Sequence, residues 1–289
     1  MLQREQTDYL LVNAYNAAIR AGARIVEIYN SDDLGINLKS DNTPTTLADR
    51  EAHSIIKHYL GQTRIPILSE EGRNLLYEER GTWDLFWLVD PLDGTREFIR
   101  HESHEFTVNI ALMVENEPFM GVIYVPCFNK IYFSDMERGA FVKENVMPDP
   151  NASFSINELY QGARQLPLAD AVNSPIRVTV SRMAGSQDTD RFIELLRERC
   201  GEVTVIPTGS SLKFCLVAEG SADYYIRANV SYEWDTAAGH AIATAAGAKA
   251  LSLISQTPLK YNKNDLENPY FICKSKYIPD LFPAFSPNL

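Results

Sequence analysis

A short apolar run, Phe86-Trp87-Leu88-Val89, ends abruptly on Asp90-Pro91-Leu92-Asp93-Gly94-Thr95. Four apolar residues bounded by turn signals read as a buried strand, so residues 84–89 are expected to form one. The acidic hexapeptide then sits at the edge of a core, on a backbone held rigid by the strand before it. Pro91 restricts Asp90 to extended conformations, and Asp93 follows after a bend. Gly94 has no side chain, so an anion can approach closely, and the N–H groups of Gly94 and Thr95 offer it a small nest. Carboxylates spaced in this way suit hard divalent cations, with Asp90 between two of them and the Leu92 carbonyl as a further oxygen ligand. A lone Asp-rich turn is the ordinary alternative; the full hexapeptide directly after a strand favours a site.

The pattern around this point sets the fold class. Tyr9, Val12, Ile19, Val26 and Tyr29 recur at helical spacing over residues 6–29. A polar loop over 31–44 and a helix over 46–60 follow. Residues 66–68 read as a strand ending at Ser69-Glu70-Glu71. Phe106, Val108, Ile110, Leu112 and Val114 alternate, which predicts a strand with one apolar face. Strands at 119–125, 131–133 and 140–142 continue an antiparallel meander. After 177, strands at 177–181, 203–206 and 224–226 alternate with helices at 188–200, 211–219 and 235–246, an α/β pattern. The expected fold is therefore α/β: an α+β half over 1–150 carrying the metal-binding residues, a proline-broken linker or insertion over 151–176, and an α/β half over 177–289 that completes the site. A short helix is expected near 156–160.

Two further acidic positions join the hexapeptide. Asp235 opens an Ala-rich helix in Trp234-Asp235-Thr236-Ala237-Ala238-Gly239, where its ordinary role would be a cap. The small residues after it let that helix pack closely. Glu70 follows a strand, with Glu71 beside it. Together Glu70, Asp90, Asp93 and Asp235 would repel a phosphate unless two or more Mg²⁺ ions reversed the local field. Two such ions, roughly 4 Å apart, activate water and stabilise a leaving oxygen. Thr95 is placed to orient that water, and Asp49 to orient Thr95.

Bulk properties exclude several classes. The formal net charge of −11 argues against a nucleic-acid polymer as partner. Of the 4 cysteines none forms a Cys-x-x-Cys pair, so free thiols and a cytoplasmic location are expected. No apolar stretch is long enough to span a bilayer; peripheral contact at the inner membrane and a homo-oligomer stay open. His101-Glu102-Ser103-His104 is one residue short of a zincin motif. Nucleophile-elbow, Walker A and dinucleotide fingerprints are missing from the sequence.

Pro44-Thr45-Thr46-Leu47-Ala48-Asp49, Leu68-Ser69-Glu70-Glu71, the Asp90 hexapeptide and the Trp234 segment together make the chain resemble the inositol monophosphatase superfamily. Within it, Gly209-Ser210-Ser211-Leu212-Lys213-Phe214-Cys215, the stretch from Glu105 to Leu112 and the Glu233 context resemble the 3′(2′),5′-bisphosphate nucleotidase branch. The resemblance implies a layered α-β-α-β-α fold. It also implies two or three Mg²⁺ ions, one on Glu70, Asp90 and the Leu92 carbonyl, a second on Asp90, Asp93 and Asp235. Thr95, Asp49 and Glu70 would be catalytic. Gly94 and Thr95 amides would contact the departing phosphate, bringing Glu70, Leu92, Asp93 and Asp235 against the substrate. Ser181, Arg182 and Lys213, with Arg96 and Arg227, are candidates for a distal phosphate. The implied reaction is removal of the 3′-phosphate of adenosine 3′,5′-bisphosphate in sulfur assimilation, with 3′-phosphoadenylyl sulfate as a further substrate. An inositol or other small sugar phosphate is the alternative. Residues 143–175 exceed the family's usual length, a departure bearing on substrate access.

Overall fold

The computed structural model describes residues 2–39, 42–182 and 185–278. In the first half the chain forms α1 (Arg4–Tyr29), a hairpin of β1 (Asn37–Leu38) and β2 (Pro44–Thr45), α2 (Leu47–Gly61), β3 (Ile67–Ser69), α3 (Tyr77–Arg80) and β4 (Leu85–Asp93). Then come α4 (Thr95–Arg100), β5 (Thr107–Val114), β6 (Glu117–Val125), β7 (Lys130–Asp135), β8 (Gly139–Lys143), α5 (Ile156–Tyr160) and β9 (Arg164–Gln165). The second half contributes β10 (Ile176–Ser181), α6 (Gln187–Cys200), β11 (Val203–Thr208), α7 (Leu212–Glu219), β12 (Tyr224–Arg227), α8 (Glu233–Ala245), β13 (Lys249–Ser252) and β14 (Phe271–Lys274). The loop expected over 31–44 contains the β1–β2 hairpin; Ser40 and Asp41 lie outside the described residues.

Seven strands pair in the order β3-β4-β5-β6-β7-β8-β9, antiparallel except for β3 on β4. Five more pair as β11-β10-β12-β14-β13, with the first three parallel. Period-two alternation assigns the faces. Trp87, Val89, Val108, Ile110 and Leu112 pack with Ile25, Ala52 and Ile56 of α1 and α2. Their neighbours Phe86, Leu88, Ala111 and Met113 pack with Phe214, Ala238 and Ile242 of α7 and α8. The second sheet alternates likewise: Tyr225, Phe271 and Cys273 face α7 and α8, while Tyr224, Ile226 and Ile272 face Phe192 and Leu196 of α6. The result is five layers, α-β-α-β-α, as the resemblance implied.

Residues 151–176 carry α5 and β9. They are fastened to α1, where the Asn16 amide donates to the Phe154 carbonyl and Asn16 accepts from the Phe154 N–H. Sequence periodicity leaves out α3 and α4, of 4 and 6 residues, and the edge pair β13–β14, of 4 residues each. Such pieces are too short to show a period.

Candidate active site

β4 does not stop at Val89 but runs on to Asp93. Opposite it, Asp90 pairs with Asn109 and Asp93 with Thr107, so β4 takes three steps where β5 takes two. This is a bulge, one of the few places a strand tolerates Pro91. It also has a chemical result. Residues 90 and 93 are an odd number apart and would otherwise face opposite sides; the extra residue turns both toward the α7–α8 layer. Gly94 follows in the left-handed region at φ 96°, beside the Phe106 backbone, a conformation an L-residue reaches only with strain.

Each other acidic group is delivered by its own element. The Glu70 N–H continues the β3–β4 pairing by donating to the Val89 carbonyl at 3.1 Å, which sets Glu70 beside Asp90. Asp49 belongs to the capping box of α2: its Oδ2 accepts from the Thr46 N–H and hydroxyl. Its Oδ1 accepts from the Thr95 hydroxyl at 3.0 Å. Asp235 is not the cap residue of α8 but lies three positions in, where Oδ2 accepts from the Tyr232 N–H at 2.8 Å. That bond is half of a capping box and uses one carboxylate oxygen, leaving the other to point elsewhere.

The carboxylates feel one another. Asp90, almost wholly buried, has its pKa pushed well above the usual carboxylate range by burial and then by Glu70, Asp93 and Asp235. Asp235 is pushed up to about 8 by burial, then by Asp93 and Glu70. Burial also raises Asp49 against its Thr46 hydrogen bonds. Among the described residues, no three acidic, histidine or cysteine side chains close on one point as a ready ligand shell. Glu70 and Asp90 come within hydrogen-bonding reach of each other, and each acidic group also has a protein partner. The Lys39 ammonium pairs with Glu70 at 2.8 Å and with Glu71. Asp90 accepts from the Leu92 N–H, and Asp93 from Ser211 at 2.6 Å. The donors are nevertheless all hard oxygens, in a desolvated acidic cluster that a divalent cation would relieve, so the set fits Mg²⁺ in kind and in charge.

Around the cluster lies a cavity of about 470 Å³. Glu70, Asp90, Leu92, Asp93, Gly94, Thr95 and Asp235 line it, and so do Ser181, Lys213, Arg96 and Arg227. Lys213 is buried, with its ammonium donating to the Ser210 and Thr208 carbonyls; burial first, with Arg227 adding, lowers its pKa to about 8. Arg227 ends β12, one residue beyond the expected strand, and donates to the Ser181 hydroxyl at 2.7 Å.

The sequence model of the inositol monophosphatase family matches residues 6–283. The chain belongs to the inositol monophosphatase family. It is 40% identical to the 3′(2′),5′-bisphosphate nucleotidase CysQ of Escherichia coli K12 across 80% of this chain and 85% of that one. Against the protein of that name from Haemophilus influenzae the identity is 32%, across 92% of each. The crystal structure of CysQ from Bacteroides thetaiotaomicron, itself described as a bacterial member of this family, superposes with a TM-score of 0.84 at 42% identity, covering 94% of this chain and 98% of that one.

In this member of the inositol monophosphatase family, Arg182 alone among the site residues expected from sequence stands outside both the cavity lining and its contacts. Glu105 holds it, accepting from Nη2 at 2.8 Å while also accepting from the Gly209 N–H. Asp49 is not in the lining of this cavity but touches Thr95, which is. Thr107, Asn109 and Ser211 are the polar groups around Asp93 that sequence reading passed over. Their signal was available: Thr107 and Asn109 alternate with Phe106, Val108 and Ile110, on the strand face that continues as Ala111 and Met113.

Proposed function

We propose that the protein is a Mg²⁺-dependent phosphatase that removes the 3′-phosphate of adenosine 3′,5′-bisphosphate, giving AMP and inorganic phosphate, and accepts 3′-phosphoadenylyl sulfate as well. One observation carries the nucleotide reading: a single cavity holds the acidic cluster together with Arg96, Lys213 and Arg227. A monophosphate on an uncharged ring uses only the first; a bisphosphate uses both. The similarity to bisphosphate nucleotidases supports the same choice, and free thiols at Cys127 and Cys200 suit a reducing cytoplasm. The reaction clears a by-product of sulfonucleotide reduction.

Glu70, Asp90, the Leu92 carbonyl, Asp93 and Asp235 would hold Mg²⁺, which supplies charge neutralisation and a more acidic bound water. The chain's own groups do the rest. The Thr95 hydroxyl donates to Asp49, so a lone pair on its oxygen is open to a proton from the attacking water. Asp49, raised by burial, holds a proton more readily than an exposed carboxylate. The Gly94 and Thr95 N–H groups take phosphate oxygens. Water oxygen bonds to phosphorus as one of its protons passes by way of the Thr95 hydroxyl to Asp49, the bond from phosphorus to the 3′ oxygen breaks, and that oxygen takes a proton from bulk water as it leaves. Ser181, Lys213, Arg96 and Arg227 receive the 5′-phosphate; Arg182 stays on Glu105.

Phosphate release is measured side by side from adenosine 3′,5′-bisphosphate, AMP and inositol 1-phosphate, with Mg²⁺ and with chelator. The bisphosphate is expected to be preferred, with turnover lost in chelator. Preference for inositol 1-phosphate would overturn the nucleotide reading in favour of the sugar-phosphate alternative. Turnover that survives the chelator would overturn the carboxylate mechanism itself.

A further inference from the structure

Ser211 lies just before α7 and is almost wholly buried. Its Oγ is 2.6 Å from Asp93 Oδ2 and 2.7 Å from the backbone carbonyl oxygen of Asp235. Behind it, Asn109 Nδ2 donates to Ser211 Oγ at 2.8 Å and reaches Asp93 Oδ2 at 3.4 Å. The Asn109 amide is fixed in that sense by Thr107, whose hydroxyl donates to Asn109 Oδ1 at 2.9 Å. Thr107 and Asn109 are as buried as Ser211. Three polar side chains thus sit beside a largely apolar layer that includes Ala111, Leu212, Phe214 and Cys215, which is costly unless every group is paired. Here they form one directed line, Thr107 to Asn109 to Ser211 to Asp93, and it converges on a single oxygen.

From this line we infer that Ser211 is a positioning residue, backed by Asn109 and Thr107, that ties up Asp93 Oδ2 and leaves Oδ1 as the oxygen presented to a divalent cation. The inference rests on the proposed role of Asp93 as a ligand. The single Ser211 proton has two acceptors at nearly equal distance, and the charged carboxylate is the stronger. Asp93 differs from the other three aspartates in this respect. Asp49, Asp90 and Asp235 are each anchored by a backbone N–H close in sequence. Asp93 is anchored by side chains from a neighbouring strand and from a loop that leads into the second sheet's layer. Ser211 also touches the Asp235 backbone, so one hydroxyl joins the two halves of the chain between two acidic positions.

Side chains that orient a ligand typically account for 10–100-fold in metal affinity. Ser211→Ala is expected to raise the half-saturating Mg²⁺ concentration by that factor. Two readouts should move together: the Mg²⁺-induced rise in melting temperature, with no substrate present, and steady-state turnover. At saturating Mg²⁺ the KM for the phosphate substrate should stay within about twofold, and the melting temperature in chelator should fall by a few degrees, because the buried Asn109 amide loses its acceptor. If Ser211→Ala does not fold, Thr107→Val decides: it releases the Asn109 amide and should shift Mg²⁺ half-saturation the same way, several-fold. An unchanged Mg²⁺ half-saturation beside a lowered melting temperature in chelator would mean Ser211 only packs, and the inference fails alone. A parent protein with no Mg²⁺ response in either readout would remove the ligand role of Asp93 and both readings with it.

Discussion

Gly121 sits in β6 where α8 lies against the larger sheet, and a Cβ built on it would stand 2.4 Å from the Ala238 carbonyl oxygen and 3.0 Å from the Ala241 Cβ. Ordinary contact begins near ~3.5 Å, so Gly121→Ala requires α8 to retreat by about 1 Å. The obstacle is helix backbone, which cannot rotate aside as a side chain would. Overpacking of this kind costs about 1–3 kcal/mol, or a fall of roughly 2–5 °C in melting temperature for a chain of this size. The same retreat moves Asp235, one turn earlier on α8, away from Asp90 and Asp93. A misplacement of about 1 Å at a reacting centre costs on the order of 100-fold in rate. Differential scanning fluorimetry and initial rates at saturating Mg²⁺ measure both effects. Gly61→Ala is the control: nothing lies within 4 Å of its added carbon, so stability should hold or rise slightly. A Gly121→Ala protein that melts within about 1 °C of the parent and keeps full turnover would refute the argument that close packing of α8 sets Asp235.

Two further outcomes are expected. Asp93→Asn keeps an oxygen for Ser211 but removes a charge that raises both Asp90 and Asp235; turnover should fall at least 100-fold while the melting temperature in chelator holds or rises. A marked fall in that temperature would contradict it. Lys213 has its pKa lowered from 10.5 to about 8 in the folded chain, so as pH rises past 8 the folded state releases a proton that the unfolded state still binds. This residue's contribution to stability therefore rises with pH, by about 2 kcal/mol between pH 7.5 and 9.5. Urea titrations of the parent in metal-free buffer, set against Lys213→Met at the two pH values, should show that gain only in the parent.

Much of the architecture was legible because its cause is periodic. Alternation along residues 106–114 assigned one face of β5, and the strand–helix alternation after 177 predicted the second sheet. The β4 bulge was not legible, because it is decided by how Asp90 and Asp93 pair with Asn109 and Thr107, not by the hexapeptide. A strand ending at Val89 and one running to Asp93 look alike locally. Arg182 shows the same dependence on the fold: the end of a strand is a good address for a site residue, and the partner it meets there, Glu105, is 77 positions away. Lys39 reaches Glu70 because it follows directly on β1 of the β1–β2 hairpin, a placement that local sequence does not show.

The acidic groups share a constraint that only the fold reveals. Asp49 gives one oxygen to the Thr46 N–H and the other to Thr95. Asp90 gives Oδ1 to the Leu92 N–H, and Asp235 gives Oδ2 to the Tyr232 N–H. Asp93 gives Oδ2 to Ser211. In each, one oxygen anchors the side chain and so fixes the direction of the other. Anchoring by backbone at a helix start or a strand bulge comes with the secondary structure itself, so Asp49, Asp90 and Asp235 are aimed as soon as α2, β4 and α8 form. Of these four aspartates, Asp93 alone waits on side chains from another strand and a distant loop. Its orientation therefore depends on docking of the second half, which makes Asp93 the acidic residue whose environment most directly reports whether the two halves have come together.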